Sequence, residues 1–256
     1  MIQVLTIDSE HDSAKRLGYD TITDPEYYED YTNDLVIRWG NSSHIFDANY
    51  DTHEFDKVIN PREAIARNCH KNKAIKLIGS VVTAPTCWEE GEKVPAGVLA
   101  VHRPTEHSGG YGFKVQKGPF KVNDGFYATK WVQTETEYRC WFVGEATMCG
   151  RRVSNLDHSE EFQCRSMWSY AFKREVMPNL HLQTLKAAKS IGLECGAADV
   201  LWDKDHWVFL ELNSAPTIDK QVIEDFYTSN LKKLFLRSRP SENLKFNWVC
   251  YLICQP

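Results

Sequence analysis

The chain has 256 residues, a net charge of −5 and about a quarter charged residues, enough for one large domain or two small ones around a hydrophobic core. Neither sign of charge forms a long block, which argues against a sequence-independent nucleic-acid binder, because such a protein needs a basic face. Eight cysteines, at 69, 87, 140, 149, 164, 195, 250 and 254, include no Cys-x-x-Cys pair, which disfavours a zinc ribbon and a thioredoxin-like motif. Several lie in apolar runs, as reduced core thiols do. The N-terminus has neither a basic start nor an apolar h-region, and no apolar run has transmembrane length, so a cytoplasmic, reduced protein is expected.

Taken in chain order, Gln3–Ile7 reads as a strand. Asp34-Leu-Val-Ile-Arg-Trp reads as a second, buried strand, ended by Gly40-Asn41. Pro61 suits the first turn of one helical stretch, PREAIARNCHKNKAIKLIGSV. A Pro-x-Cys-Trp link leads to a strand at Val98–His102, and the loop from His107 to Phe113 then places three glycines within four residues. Phe126–Val143 reads as a strand pair, Thr184–Ile191 as a helix, and Asp203-Lys-Asp-His as the turn of a hairpin. From about residue 220 the pattern is a helix, a polar turn at Arg239-Pro-Ser-Glu-Asn, and a strand. Hairpins interrupt the alternation of strands and helices, so the class is α+β and not a doubly wound sheet. The expected layout is a short N-terminal α/β piece over residues 1–65 and a domain over 66–256 made of two α+β lobes.

The hairpin carries the clearest chemistry. Glu211 and Asn213 are two apart on one strand and therefore share a face. The turn folds the Asp199 strand back beside them, so three hard oxygen donors converge, as Mg²⁺ requires when substrate phosphates complete its shell. An amphipathic hairpin with solvated carboxylates is the plain alternative. Alternation on Glu137-Tyr-Arg-Cys-Trp-Phe-Val places Arg139, Trp141 and Val143 on one face and Tyr138, Cys140 and Phe142 on the other. An arginine in so apolar a strand must meet an anion: Glu137 or Glu145 structurally, or a bound carboxylate or acyl phosphate functionally.

The segment Gly192–Pro216, with its Asp strand, Glu-x-Asn strand and Asn-Ser-Ala-Pro turn, resembles the C-terminal signature of the ATP-grasp superfamily. The similarity covers roughly residues 60 to 220, and the small ATP-grasp proteins of tailed phages and the ribosomal-protein glutamate ligases show a particular resemblance. It implies the ATP-grasp fold, two α+β lobes gripping a nucleotide, with Asp199, Glu211 and Asn213 holding one or two Mg²⁺ ions between the β- and γ-phosphates of ATP. Val98-Leu-Ala-Val-His-Arg-Pro resembles the family strand that ends in Lys-Pro, with Arg103 in the lysine's place. A guanidinium can still pair with phosphate, or else with Glu106 across the loop. His102 is expected to pack or to face solvent.

The loop residues Ser108, Gly109, Gly110 and Gly112 resemble the small-residue loop over the phosphates, although a Gly-rich turn is often only a turn. Asn72-Lys73 resembles the family's Asn-Lys, which makes Lys73 the candidate for the α-phosphate, with Lys71 and Lys76 as close competitors and a solvated basic face as the alternative. By the same resemblance Lys130, Trp131 and Val132 form the adenine hinge and Glu135 binds the ribose, unless Trp131 simply fills core. Arg139, Arg151 and Arg165 match the residues that hold the reacting groups.

The activity implied is an ADP-forming carboxylate–amine ligase with an acyl-phosphate intermediate, taking an amino acid, a peptide or a protein end as substrate. A phosphotransferase on the same fold and a nucleotide-binding module without turnover are the alternatives. No Gly-x-Ser-x-Gly elbow or His-Glu-x-x-His motif competes with this reading.

Overall fold

Ile2–Leu5 and Leu35–Arg38 are short, largely apolar runs that stay buried on both faces, as parallel strands do. In the computed structural model, residues 2–6, 12–22, 35–39, 58–105, 112–134, 136–154, 168–172, 177 and 179–238 are described. Ile2–Leu5 (β1), Asp12–Arg16 (α1), Asp20–Ile22 (β2), Leu35–Arg38 (β3) and Val58–Ile59 (β4) form the N-terminal piece. Its sheet is parallel throughout, in the order β2-β1-β3-β4.

Two helices follow, Arg62–Cys69 (α2) and Lys71–Gly79 (α3), where one continuous helix was expected from Pro61. Pro61 caps the first, and His70 breaks the run with a non-helical ψ of 80°. The break has a packing reason. At about 100° per residue, an unbroken helix would point the Ala64/Ile65/Asn68 and Ala74/Ile75/Ile78 triads about 80° apart. With the break, both are buried. The expected boundary between residues 65 and 66 falls inside α2.

The next stretch supplies Cys87–Trp88 (β5), Lys93–Val94 (β6), Leu99–Pro104 (β7), Lys114–Lys117 (β8), Phe120–Lys121 (β9) and Phe126–Lys130 (β10). Four of them make a sheet in the order β5-β10-β7-β8, and β6 pairs with β9. Last come Glu137–Val143 (β11), Ala146–Ser154 (β12), Trp168–Ala171 (β13), Leu180–Ile191 (α4), Cys195–Asp203 (β14), His206–Asn213 (β15) and Gln221–Ser238 (α5). Their sheet has the order β13-β12-β11-β14-β15, with every neighbour antiparallel. The expected strand pair over 126–143 is therefore two strands in different sheets: β10 pairs with β5 and β7, whereas β11 pairs with β12 and β14. The chain passes from one sheet to the other between Lys130 and Glu137. The tail beyond residue 238 lies outside the described residues. No helix among the described residues is long and apolar enough to cross a membrane.

Alternation on β11 divides the interior as the sequence indicates. Tyr138, Cys140 and Phe142 pack with Ala64, Ile78, Leu180 and Ile191 of the helices. Trp141 and Val143, on the opposite face, pack with Val4, Ile37 and Trp39 of the N-terminal sheet and with Ile223 and Tyr227 of α5. A third, smaller core consists of Val94, Ala100, Val122 and Ala128.

One buried polar side chain registers these layers. Asn60, at the left-handed φ of 57° that asparagine tolerates, donates from Nδ2 to the Cys195 carbonyl at 2.9 Å and accepts at Oδ1 from the Glu194 and Cys195 amides at 3.0 and 3.1 Å. It thereby fixes the start of β14. Gly196 follows, where a Cβ would lie 2.4 Å from the Asn213 carbonyl oxygen, so glycine is what lets β15 approach.

Candidate functional site

The hairpin β14–β15 is not regular, and its irregularity makes the site. Val200 pairs with Phe209, but Asp199 pairs with Glu211, leaving Leu210 as the extra residue of a β-bulge. In a regular strand Phe209 and Glu211 would share a face. Here Trp207, Phe209 and Leu212 enter the helix-side core, whereas Glu211 stands directly across from Asp199. The shift also takes Asn213 to that face. Its Nδ2 lies 3.3 Å from Asp199 Oδ2 and 3.4 Å from Glu211 Oε1. The three side chains expected to converge do so.

The donor set suits a hard divalent cation. A half turn of the Asn213 amide exchanges its oxygen for its nitrogen. That places the amide oxygen, relative to each carboxylate, near the ligand–ligand spacing of about 3 Å set by an octahedral ion with bonds of about 2.1 Å. Among the described residues no group of three His, Cys, Asp or Glu side chains could hold a metal. Two carboxylates and an amide are too few to complete a shell, so such an ion needs further oxygens from a substrate.

The same row continues into an ion-pair ladder. Arg139 on β11 pairs in register with Asp199 and grips it with both arms, Nε to Oδ1 at 2.6 Å and Nη2 to Oδ2 at 2.8 Å. The anion that Arg139 requires is thus Asp199, not Glu137 or Glu145. Glu137, two residues back on the same face, accepts a hydrogen bond from Arg152 of β12. Arg152 is part-buried on this face, whereas the expected Arg151 is exposed. Strand parity on β12 separates them, because Arg151 pairs with Tyr138 of the core-facing set.

Electrostatics follow this packing. Burial alone would raise the Asp199 carboxyl, but the Arg139 guanidinium first, and then Arg152 and Lys71, hold it below the ordinary carboxylate value. Burial would likewise discharge Arg139, and Asp199 overrides it, keeping the guanidinium charged. Glu137 is raised by burial, with Arg152 opposing and Asp199 adding.

From the other sheet, Tyr127 of β10 reaches the same place. Tyr127, Glu211, Leu212 and Lys71 of α3 line one narrow depression. Lys71 Nζ donates to the Leu212 carbonyl at 2.8 Å. Burial pushes the Tyr127 phenol up to about 12, with Arg103 opposing through charge and a hydrogen bond and Glu211 adding to the rise. Arg103 is only 9% exposed and lies 4.7 Å from the Phe113 ring centroid. His102, one residue earlier on β7, points the other way, stacked on Phe126 at 4.6 Å with its imidazole pKa lowered by burial. It packs, as one of its two expected readings had it.

Other candidates divide clearly. Lys73 is exposed and lines a separate surface hollow with Ala66, Arg67 and His70, and Lys76 is engaged by Glu89 at 2.9 Å. Of the three neighbouring lysines it is Lys71 that reaches the Glu211 depression. Helical spacing alone places Lys71 and Lys73 on different faces, and that signal was present in the sequence. The Lys130 and Trp131 amides donate to the Thr86 and Leu99 carbonyls, both at 2.8 Å, so these two hinge N–H groups are already used. Gly112 has a left-handed φ of 74°, and a Cβ there would come within 3.1 Å of Pro104. Ser108, Gly109, Gly110, Glu135 and Arg165, together with Glu106, lie outside the described residues.

No family model matches the sequence, and no curated protein matches it. Solved structures do match the fold. A D-alanine–D-alanine ligase from Bacillus anthracis aligns with a TM-score of 0.68 at 11% identity, over 93% of this chain and 96% of that one. The ATP-grasp ligase PsnB, in complex with a minimal precursor, Mg and ADP, gives 0.63 at 12%, over 93% and 97%. The chain has the ATP-grasp fold. A biotin carboxylase from Campylobacter jejuni agrees at a TM-score of 0.61 and 16% identity, over 93% of this chain and 72% of that one. The chain thus shares its fold with ATP-grasp ligases. These three include neither a ribosomal-protein glutamate ligase nor a phage protein, so they bear on the fold and not on that closer resemblance.

Proposed function

We propose that this protein is an ADP-forming ATP-grasp ligase, built as an N-terminal α/β piece over 1–65 and an ATP-grasp domain over 66–256, that joins a carboxylate to an amine in the cytoplasm. What carries the reading is the convergence of Asp199, Glu211 and Asn213 on one face where the two sheets meet. Those three would hold Mg²⁺, which supplies charge neutralisation to ATP phosphates and to the developing transition-state charge.

The remaining roles belong to the chain's own side chains. Lys71 and Arg103 enter the junction from the helix and from the other sheet, positioned to pair with phosphate oxygens. The glycine loop at 108–112 covers the phosphates and excludes water from a hydrolysable intermediate. The hinge at Lys130–Val132 receives the adenine beside Trp131 through the groups left after the Lys130 and Trp131 amides are used, and Glu135 binds the ribose. Arg139, Arg152 and Arg165 hold the reacting carboxylate and its phosphoryl derivative. The carboxylate oxygen attacks the γ-phosphorus, ADP leaves, and an amine nitrogen then displaces phosphate from the acyl carbon to give the amide.

Two structural neighbours are bound to precursors, PsnB to a minimal precursor and the macrocyclase MdnC of Microcystis aeruginosa to its precursor peptide. Peptides therefore join amino acids in the first substrate panel. The test is ADP release with each candidate carboxylate, followed by hydroxylamine trapping. A hydroxamate confirms the ligase. ADP with a phosphorylated product and no hydroxamate makes the protein a phosphotransferase, and ATP binding without ADP from any carboxylate makes it a binding module.

A further inference from the structure

Two carboxylate oxygens of Asp199 are already committed. Arg139 holds each through a separate N–H, and Oδ2 carries the contact with Asn213 as well. A guanidinium fork and a divalent cation repel each other strongly when they share one carboxylate as buried as Asp199, because burial weakens solvent screening. Each oxygen keeps a second lone pair, but a metal that uses it must stand beside the guanidinium charge, so metal loading favours exchange of the pair.

The surroundings of Arg139 favour exchange. Its cross-strand partner on β12 is Gly150, which presents no side chain. Trp141, Tyr170 and Phe172 close over that position, each 3.2 Å from where a Cβ would stand, so glycine there is what lets the Tyr170 ring come in beside Arg139. The Tyr170 ring lies 5.8 Å from the guanidinium, an aromatic face on which a cation can rest when it leaves its carboxylate.

We propose that Arg139 is the resident cation of the Asp199–Glu211–Asn213 site in the unliganded protein, and that metal loading exchanges it. Asp199 then turns from guanidinium to metal, and the freed Arg139, supported by Tyr170, becomes the group that receives the anionic substrate. The proposal rests on the metal assignment made above. Its consequence is linkage: metal strengthens substrate-carboxylate binding, and the carboxylate strengthens metal binding by the same factor.

The experiment measures Mn²⁺ binding to the full chain without nucleotide, by electron paramagnetic resonance of free Mn²⁺. Arg139→Gln removes the competing cation and is expected to bind Mn²⁺ about tenfold or more tighter than wild type, with Arg139→Lys between the two. Equal or weaker binding by a folded Arg139→Gln overturns the exchange and leaves Arg139 as an orienting partner of Asp199. If Arg139→Gln does not fold, wild-type protein decides. The Arg139 Nε–H resonance, assigned by its loss in Arg139→Lys, should move upfield on saturation with Mg·ADP as its short bond to Asp199 breaks. An unmoved resonance overturns the proposal. Mn²⁺ bound by no protein, with or without ATP, removes the metal assignment itself, which separates that failure from failure of the exchange.

Discussion

The two sheets that meet at the candidate site are built differently. The β11–β15 sheet is covered on both faces, with Trp141 and Phe142 of one strand fully buried in opposite cores. The sheet of β5, β10, β7 and β8 rests on a smaller core, in which only Val94, Ala100, Val122 and Ala128 are buried while Trp88, Phe120 and Phe126 stay partly exposed, and its edge strand Lys114–Lys117 is exposed at every position. Local opening is easiest where few apolar groups are buried, so the sheet bearing Asp199 and Glu211 is a rigid frame and the sheet bearing Arg103 is the part that yields. In hydrogen exchange, β11 and β14 should outlast β8 and β9.

The comparison breaks most visibly at Glu211. Glu211→Gln keeps the shape and loses a charge on the rigid frame, away from both cores. Stability should change little, while Mg²⁺-dependent ADP formation falls by several orders of magnitude, given the several kcal/mol a bound cation contributes. Near-normal turnover in a steady-state assay would reject the metal assignment. Trp141→Ala attacks the frame itself and should cost about 3–5 kcal/mol in urea unfolding. A loss under 1 kcal/mol would show that the two-sided burial does not carry the stability of this sheet.

Arg103 tests the yielding side. Arg103→Ala should weaken ATP binding by about 1.5–3 kcal/mol by calorimetry, and Arg103→Lys should recover part of it, because a point charge still meets phosphate but the fork is lost. Unchanged affinity would leave Arg103 as a structural partner of Tyr127 and Phe113.

Acid should act on the frame in a specific direction. Asp199 is depressed in the folded state, so its contribution is present above the ordinary carboxylate pKa of about 4 and is lost as pH falls below it. Glu137 is raised, so its contribution is favourable in acid and is lost as pH rises through its folded pKa, which partly offsets Asp199. The net acid destabilisation should be modest in wild type and smaller in Arg139→Gln, read as melting temperature between pH 6 and pH 3. An equal slope in both would mean that Arg139 does not hold Asp199 in its charged form.

Much of this was legible in the residues, for physical reasons. The two-residue period placed Arg139 opposite Tyr138 and Cys140 in facing, and put Glu211 with Asn213, because strand parity is strict. The same period misleads at Phe209, since a bulge at Leu210 resets parity without a local residue signal. The expected strand pair over Phe126–Val143 failed because two strands adjacent in sequence usually pair, whereas here β10 and β11 belong to different sheets. Arg151, the residue expected from the sequence, and Arg152 differ in facing only through register, because adjacent arginines in an unassigned strand carry no facing until the pairing with Tyr138 is known.

The smallest effect is expected at Lys73, and it sharpens the same contrast between surface and frame. Lys73 lies exposed on α3 two residues from Lys71, on a different side of the helix. Alanine is a better helix former, so Lys73→Ala should alter stability by less than about 0.5 kcal/mol and leave ATP affinity as it was. Lys71→Ala is the matched control. It removes a positive charge from the Asp199–Glu211 corner and the hydrogen bond to the Leu212 carbonyl, and should weaken ATP binding measurably. Side-by-side titrations decide between them. A loss confined to Lys73→Ala would return the phosphate contact to Lys73 and require α3 to turn its other face to the nucleotide.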